Sequence, residues 1–323
     1  RMMSTNKAIL INKKLEGSLF STGFFQFRPP KELVVPKFLY YFLSSKIFLD
    51  QKDNLCEGST QKAINDKNLK KIKIYLPNLS QQQSTVTKLD TLFADIDRMI
   101  LSNQNSIINL NQFFLNQLNS FFLDNSNNWE NTTLGKYYDV RDGTHDSPKY
   151  IAQGIPLVTS KNLKKGKIDL TKIKYIKNED YLHIKKRSGV SVGDVLMAMI
   201  GTIGNPVVIK KDNNFAIKNI ALFKINQNQS SDFLKFYLSS SFVVNRLMKD
   251  AKGATQKFVG LGYLRDFPIK IPSFEKQKEI SLKIIDIEKN IETLNNKYNL
   301  NIQNYISLKK SLLSELFNRN KAA

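Results

Sequence analysis

The sequence predicts a mixed α/β protein in which strand-rich globular units alternate with two long helices that pair antiparallel. Three observations carry this: a coiled-coil seam near the end of the chain, a second seam of the same kind upstream, and short blocks repeated at one fixed offset. The offset is 195, since Pro77 and Pro272, Phe38 and Phe233, and Gly58 and Gly253 are all separated by it. Phe38-Leu39-Tyr40-Tyr41-Phe42-Leu43-Ser44-Ser45 answers Phe233-Leu234-Lys235-Phe236-Tyr237-Leu238-Ser239-Ser240, and Gly58-Ser59-Thr60-Gln61-Lys62 answers Gly253-Ala254-Thr255-Gln256-Lys257. Blocks in register mark an internal duplication, with a period far too long for a solenoid. The predicted order is a globular unit over 1–79, a helix over 80–124, a globular unit over 129–272 and a helix over 273–319.

The first unit is expected to be incomplete. At the common offset Arg1 aligns near Leu196, and the counterpart of Trp129 falls some 66 positions before residue 1. Because the chain opens on Arg, either upstream sequence is missing or a shortened gene starts at Met2 or Met3; Lys321-Ala322-Ala323 is compatible with a cloning remnant. Leu76-Pro77-Asn78-Leu79-Ser80-Gln81 opens the first long helix, with Val86, Leu89, Phe93, Ile96, Ile100, Ile107, Leu110, Phe114, Leu118 and Phe121 on its seam. Steps of four and three are coiled-coil spacing. Asn125-Ser126-Asn127-Asn128 is a polar linker.

In the second unit, Gly135–Val140 is strand-like and Arg141–Pro148 is a loop of turn formers. Ile155–Val158 is a buried strand, Thr159–Asn162 a loop, Val192–Ile200 a turn into a buried strand, Gly201–Pro206 a tight loop before Val207–Ile209, and Ile220–Ile225 a further strand. Asp232–Lys249 has helical spacing, and Gly253–Lys257 is a turn. The last helix carries Ile280, Ile284, Ile287, Ile291, Leu294 and Tyr298, loosens through Ile302 and resumes at Tyr305, Leu308, Leu312 and Leu316. A helix of about 45 residues is ~65 Å long, more than a unit of this size needs for packing on itself. Two of them would pair and hold the globular units a fixed distance apart.

Composition narrows the function. The chain of 323 residues is 41% hydrophobic, enough for two folded units. Its single cysteine, Cys56, excludes a disulfide framework or a cysteine zinc site. Neither a signal peptide nor a membrane-length apolar run is present, so a cytoplasmic protein with no membrane partner is expected. The net charge is +21, and it is segregated. Residues 129–272 carry 24 Lys/Arg against 12 Asp/Glu and residues 1–79 carry 14 against 6, while the helices are near balance, 2 against 4 and 8 against 6. A genome favouring Lys, Asn and Ile codons raises charge everywhere; it does not sort it. Basic globular units attract a polyanion.

Catalytic motifs are missing. Gly201-Thr202-Ile203-Gly204 lacks the Lys-Ser/Thr and the following helix of a phosphate loop. No Asp/Asn-Pro-Pro-aromatic motif of an amino-methyltransferase occurs, nor a nuclease triad, nor a spaced carboxylate or His cluster for metal; His145 reads as a loop residue. What the loops do carry is Arg, Lys, Asn, Gln, His and Thr, the groups that contact base edges and phosphates. The candidates for DNA contact are Arg141, Thr144, His145, Ser160, Lys161, Asn162, Thr202, Asn205, Lys218, Thr255, Gln256 and Lys257. Gln256 has a structural alternative, since its recurrence as Gln61 also suits a cap.

This ordered set resembles the specificity subunits of type I restriction–modification systems over nearly the whole chain. The residues that carry the resemblance are Trp129 with Leu134-Gly135, Gly154-Ile155-Pro156-Leu157, Gly193-Asp194-Val195-Leu196, Gly201-Thr202-Ile203-Gly204, Gly253-Ala254-Thr255-Gln256, and the Leu76-Pro77 and Ile271-Pro272 helix openings. The resemblance implies target recognition domains that each dock on half of a bipartite double-stranded DNA site, with helices that set the gap. It implies a non-catalytic chain binding no cofactor of its own. Its implied partners are two methyltransferase subunits, which carry S-adenosylmethionine and methylate adenine, and motor-nuclease subunits. The departure from the family is the first recognition domain, which lacks its amino-terminal half. A truncated, self-pairing or inactive reserve subunit is the alternative; an autonomous nuclease or methyltransferase lacks its motifs.

Overall fold

The computed structural model describes residues 7–59, 62–123, 129–211 and 214–319. Thr60 and Gln61 of the repeated turn, the 125–128 linker and residues 321–323 lie outside them. The chain divides into two compact units, residues 1–108 with 294–323, and residues 109–293. Both boundaries fall inside long helices, so each unit holds the start of one and the end of the other.

The first unit contains α1 (Pro36–Ser44), α2 (Lys46–Asn54), α3 (Asp66–Leu69) and the beginning of α4 (Leu79–Leu123). Pro36 supplies the fixed φ that suits a first turn. The helix then breaks at Ser45, whose backbone is extended. Its hydroxyl donates to the Phe42 carbonyl at 2.7 Å and accepts from the Phe48 amide at 3.4 Å, ending one helix and capping the next. The core joins Phe38, Tyr41 and Phe42 to Val86 and Leu89 of α4 and to Leu313 and Phe317 of the last helix, α10 (Phe274–Arg319). Here α4 and α10 pack together antiparallel: Lys309 Nζ lies 2.5 Å from Asp97, and Asn301 donates to Asn103 at 3.4 Å. Residues 9–13, 21–23 and 25–29 form no strand. The counterparts of the strands that would pair them are not among the described residues.

The second unit is layered. After β1 (Glu130–Thr133), α5 (Leu134–Tyr137) and β2 (Asp139–Asp142) come β3 (Ile155–Thr159), the hairpin β4 (Leu163–Lys164) and β5 (Lys167–Ile168), β6 (Lys174–Ile176) and α6 (Asn178–Ser188). Then follow β7 (Val195–Ala198), β8 (Gly204–Val208), β9 (Ala216–Lys218), β10 (Ile220–Lys224), α7 (Ser231–Ser239), α8 (Ser241–Asp250), α9 (Leu261–Asp266) and β11 (Pro268–Ile271). An antiparallel sheet runs β2-β10-β7-β8; a second runs β6-β3-β9, with β3 parallel to β9; β1 pairs with β11. The period of two in a strand sorts the residues into three cores. Val195, Met197, Ala221 and Phe223 face the helical layer; Leu196, Ala198, Ile220 and Leu222 face Val158 and Ile217 of the second sheet. The outer side of that sheet, Leu157, Ile176 and Ala216, is closed by Tyr181 and Ile184 of α6. Burial on both faces is why β7 and β10 read as unbroken apolar runs rather than alternating ones.

The duplication is visible in equivalent contacts. Gln82 Oε1 accepts from the Val35 amide at 2.9 Å and its Nε2 donates to the Pro77 carbonyl; Gln277 does the same with Ser230 at 3.1 Å and Pro272. Ser240 breaks the α7–α8 pair as Ser45 breaks α1–α2, with its hydroxyl on the Tyr237 carbonyl at 2.5 Å. Phe122, at the end of α4, packs edge-on against Phe233 at 5.4 Å, and Phe317, at the end of α10, against Phe38 at 5.2 Å.

Several expectations need correction. Gly135–Tyr137 is helical, not extended, because the Tyr138 amide closes a turn on Leu134 and Gly135 lies flat against the Arg265 side chain. The expected single helix over 232–249 is two, split by the Ser240 hydroxyl. The strand expected at Val207 begins at Gly204. At the end of α10 the buried residues are Leu313 and Phe317, while Leu308 is 45% exposed, because the last turns face Phe38 and Phe42 as well as α4. In α4, likewise, Phe122 is more buried than Phe121.

Candidate nucleic-acid interface

Strand directions place most of the predicted contact residues at one end of the four-stranded sheet in the second unit. β2 ends at Asp142 opposite Ala221, β10 begins at Ile220 opposite Ala198, and β7 ends there beside Gly204. The loops 143–148, 199–205 and the turn at Asn219 therefore emerge together. The parallel strands β3 and β9 end on the same side, at Thr159 and Lys218, and Thr144 bridges Lys218. The turn 253–257 joins them through its backbone: the Gly201 amide donates to the Lys257 carbonyl at 2.9 Å and the Val259 amide to Met199 at 2.9 Å.

Two glycines permit this convergence. A Cβ on Gly143 would overlap the Ile217 carbonyl, so only glycine lets β2 pass that close to β9. Gly253 has φ +101 and a Cβ there would strike the Gln256 carbonyl. The turn it starts is closed by reciprocal bonds between Lys252 and Phe258 at 2.9 and 2.8 Å, just as Glu57 and Ala63 close its counterpart.

The hub of the surface is Asp142, whose side chain is 4% exposed. One carboxylate oxygen takes the Arg187 guanidinium from α6 and the other lies 2.8 Å from His145 Nε2. His145 Nδ1 is 2.9 Å from Asn219 Oδ1, so both ring nitrogens are engaged, which suits a held recognition group better than a proton shuttle. Asn219, at φ +55, also accepts the Ser160 hydroxyl on its carbonyl at 3.0 Å and donates its amide to the Thr144 carbonyl at 3.2 Å.

The twelve predicted residues divide accordingly. Lys161, Thr202, Asn205, Thr255, Gln256 and Lys257 are exposed, as is His145; Thr144 and Lys218 are half-buried. Lys218 donates to Ser147 Oγ. Three others are committed to internal bonds. Arg141 grips Asp139 at 3.0 and 3.1 Å through Nε and donates to the Arg187 carbonyl; those bonds hold the Asp139 carboxyl below its ordinary range despite partial burial. Ser160 is tied to Asn219 as above. Buried Asn162 accepts the Thr159 amide at 2.9 Å and donates to the Asp169 carbonyl at 2.9 Å. Asp142, Arg187 and Asn219 were not among the sequence candidates; an Asn between two strand signals, the residue type that tolerates positive φ, was the one available cue. Among the described residues no cluster of three His, Cys, Asp or Glu side chains could hold a metal, and no helix is long and apolar enough to cross a membrane.

Repeated helix pairs, paired long helices and an α/β second unit with a basic, amide-rich loop end make up the architecture. The family described as the type I restriction modification DNA specificity domain matches residues 4–109 and 150–304, and the chain belongs to it. It is 23% identical over 314 residues to the type I restriction enzyme EcoBI specificity subunit of Escherichia coli, covering 87% of this chain and 65% of that one. The chain thus spans somewhat less than two thirds of that relative. Among solved structures, a chain from work on complex assembly and conformational transition of the type I restriction–modification system superposes with TM-score 0.72 at 18% identity, over 94% of this chain and 76% of that chain. The HsdS subunit from Thermoanaerobacter tengcongensis does so with TM-score 0.55 at 17% identity, over 89% and 71%. Both likenesses are likenesses of fold.

Proposed function

We propose that this chain is the non-catalytic, sequence-reading component of a type I restriction–modification assembly, directing adenine methylation and cleavage to a bipartite site in double-stranded DNA. The observation that carries the reading is the convergence of exposed Lys161, Thr202, Asn205, Gln256 and Lys257 with His145 and Arg187 at one end of a rigid sheet. Such an end offers donors and acceptors to base edges and cations to phosphates. Arg141, Ser160 and Asn162 then act by positioning the loops. On this reading the helices act as a ruler between half-sites and seat two methyltransferase subunits, where S-adenosylmethionine and the chemistry reside, and motor-nuclease subunits complete the complex.

One observation favours a second reading. Residues 9–29 include the counterparts of β8, β9 and β10 yet form no strand, so residues 129–272 would read alone, with two copies pairing on a palindromic target or the chain serving as an inactive reserve. The deciding experiment is an adenine-methylation map of a genome whose only type I system is this chain with its methyltransferase. A split motif with unlike halves supports two readers, a palindromic split motif supports paired copies, and no new methylation leaves the reserve reading. Binding that is flat in a salt titration would sink DNA recognition altogether.

A further inference from the structure

The hairpin of β4 and β5 carries two local costs that its own fold does not repay. Lys164 and Lys167 face each other across the strands, and like charges placed directly opposite are unfavourable. At the tip, Lys165 has φ +48 and Gly166 φ +70, a two-residue turn of the type that prefers Asn-Gly. Lysine in the left-handed region is disfavoured relative to Asn or Gly. The hairpin is nonetheless rigid. Leu163 is 1% exposed in the core between the sheets with Ile168 packed beside it. Its base is closed by the Asp169 amide on the Asn162 carbonyl at 2.7 Å and by the Asn162 side chain on Asp169. Of the hairpin's lysines, only Lys164 has a counter-ion among the described residues, Asp169 at 2.7 Å. The side chains of Lys165 and Lys167 are exposed and make no hydrogen bond or ion pair to another described residue, and the same holds for Lys161 just before the hairpin. Strain kept at a rigid, charged tip is the pattern of a site completed by a ligand.

We infer that this hairpin is a phosphate-backbone clamp: Lys165 and Lys167, with Lys161 at its root, bind phosphodiester oxygens beside the base-reading loops and carry affinity without sequence preference. The inference rests on the DNA-reading function proposed above and adds to it a division of labour, since a lysine on phosphate positions while groups on base edges specify. Ser160, which precedes Lys161, is bonded to Asn219 of the reading surface at 3.0 Å, so the clamp and the reading loops share one frame.

The test is a salt titration of the full chain on two duplexes of unrelated sequence, wild type against the double variant Lys165→Asn, Lys167→Thr. Losing two phosphate contacts should lower the slope of log K against log salt by about 1.8, so that between 50 and 200 mM salt the wild-type advantage shrinks ~12-fold on both duplexes alike. The melting temperature should hold or rise, because the variant places Asn at the left-handed position and removes the facing charges. An unchanged slope in the variant beside a steep wild-type slope overturns the clamp and leaves DNA reading intact. Loss confined to one duplex also overturns it, since base readout would then be at work. A flat wild-type titration overturns both.

Discussion

Replacing Gln277 by Leu tests how each helix is held at its start. The side chain is fully buried. It accepts from the Ser230 amide at 3.1 Å and donates to the Pro272 carbonyl at 3.1 Å and the Tyr137 hydroxyl at 2.9 Å. Leucine fills nearly the same volume and removes all three bonds. The Tyr137 hydroxyl still donates to the Asn228 carbonyl at 3.4 Å, but the Ser230 amide and Pro272 carbonyl lose this partner. At about 1–3 kcal/mol for each of these two buried groups left unsatisfied, less roughly 1 kcal/mol for added apolar burial, the expected loss is about 1–5 kcal/mol. Trp129, the only tryptophan, packs edge-on to Phe233 at 6.1 Å, so its fluorescence follows the second unit through urea unfolding. The counterpart Gln82→Leu should act on the first unit, read as faster hydrogen exchange at the α1 amides of Phe38–Ser44. A Gln277→Leu midpoint within about 0.5 kcal/mol of wild type would refute the assigned role of the glutamine.

Three further outcomes are expected. Asp142→Asn keeps the shape of the hub but removes the charge that faces Arg187 and His145; DNA affinity should fall several-fold with the melting temperature little moved, and an affinity equal to wild type contradicts the hub. Arg141→Ala should let the Asp139 carboxyl return upward to its ordinary range in an NMR titration, because the guanidinium bonds are what hold it down. A carboxyl lowered in the folded state adds stability that is present above its unfolded value and fades as pH falls through the folded one, so the variant should lose less stability than wild type below about pH 4; an unmoved Asp139 titration rules the pair out. Gly253→Ala, with φ +101 and a carbonyl in the way of Cβ, should cost about 1–3 kcal/mol and unseat the 255–257 loop from Gly201, measurable as loss of amide protection at Gly201.

The duplication was legible because its identities recur at one offset in features that local chemistry dictates: helix openings, an aromatic helix face, a glycine turn. The layered second unit was legible where apolar runs are bounded by turn formers, as at Val195–Ala198 and Ile220–Lys224. The Ser45 and Ser240 breaks were hidden because the hydrophobic period continues across each serine, and only the carbonyl its hydroxyl takes shows the helix has ended. Asp142 escaped notice for a different reason. Its partner Arg187 is 45 residues away at the end of α6, and pairing across that separation is set by tertiary packing, not by local pattern. The late seam of α10 drifted because Leu313 and Phe317 answer to Phe38 and Phe42, residues nearly the whole chain away.

That last contact orders events during synthesis. The second unit, residues 109–293, is one continuous stretch, whereas the first needs residues 1–108 and the final helix together. On a ribosome the second unit has all its parts once residue 293 has emerged, while the side of the Phe38, Phe42 and Leu89 cluster that Leu313 and Phe317 cover stays open until those two leave the tunnel. The half made first is completed last, and a nascent chain stalled near residue 300 would expose its aromatic face to chaperones.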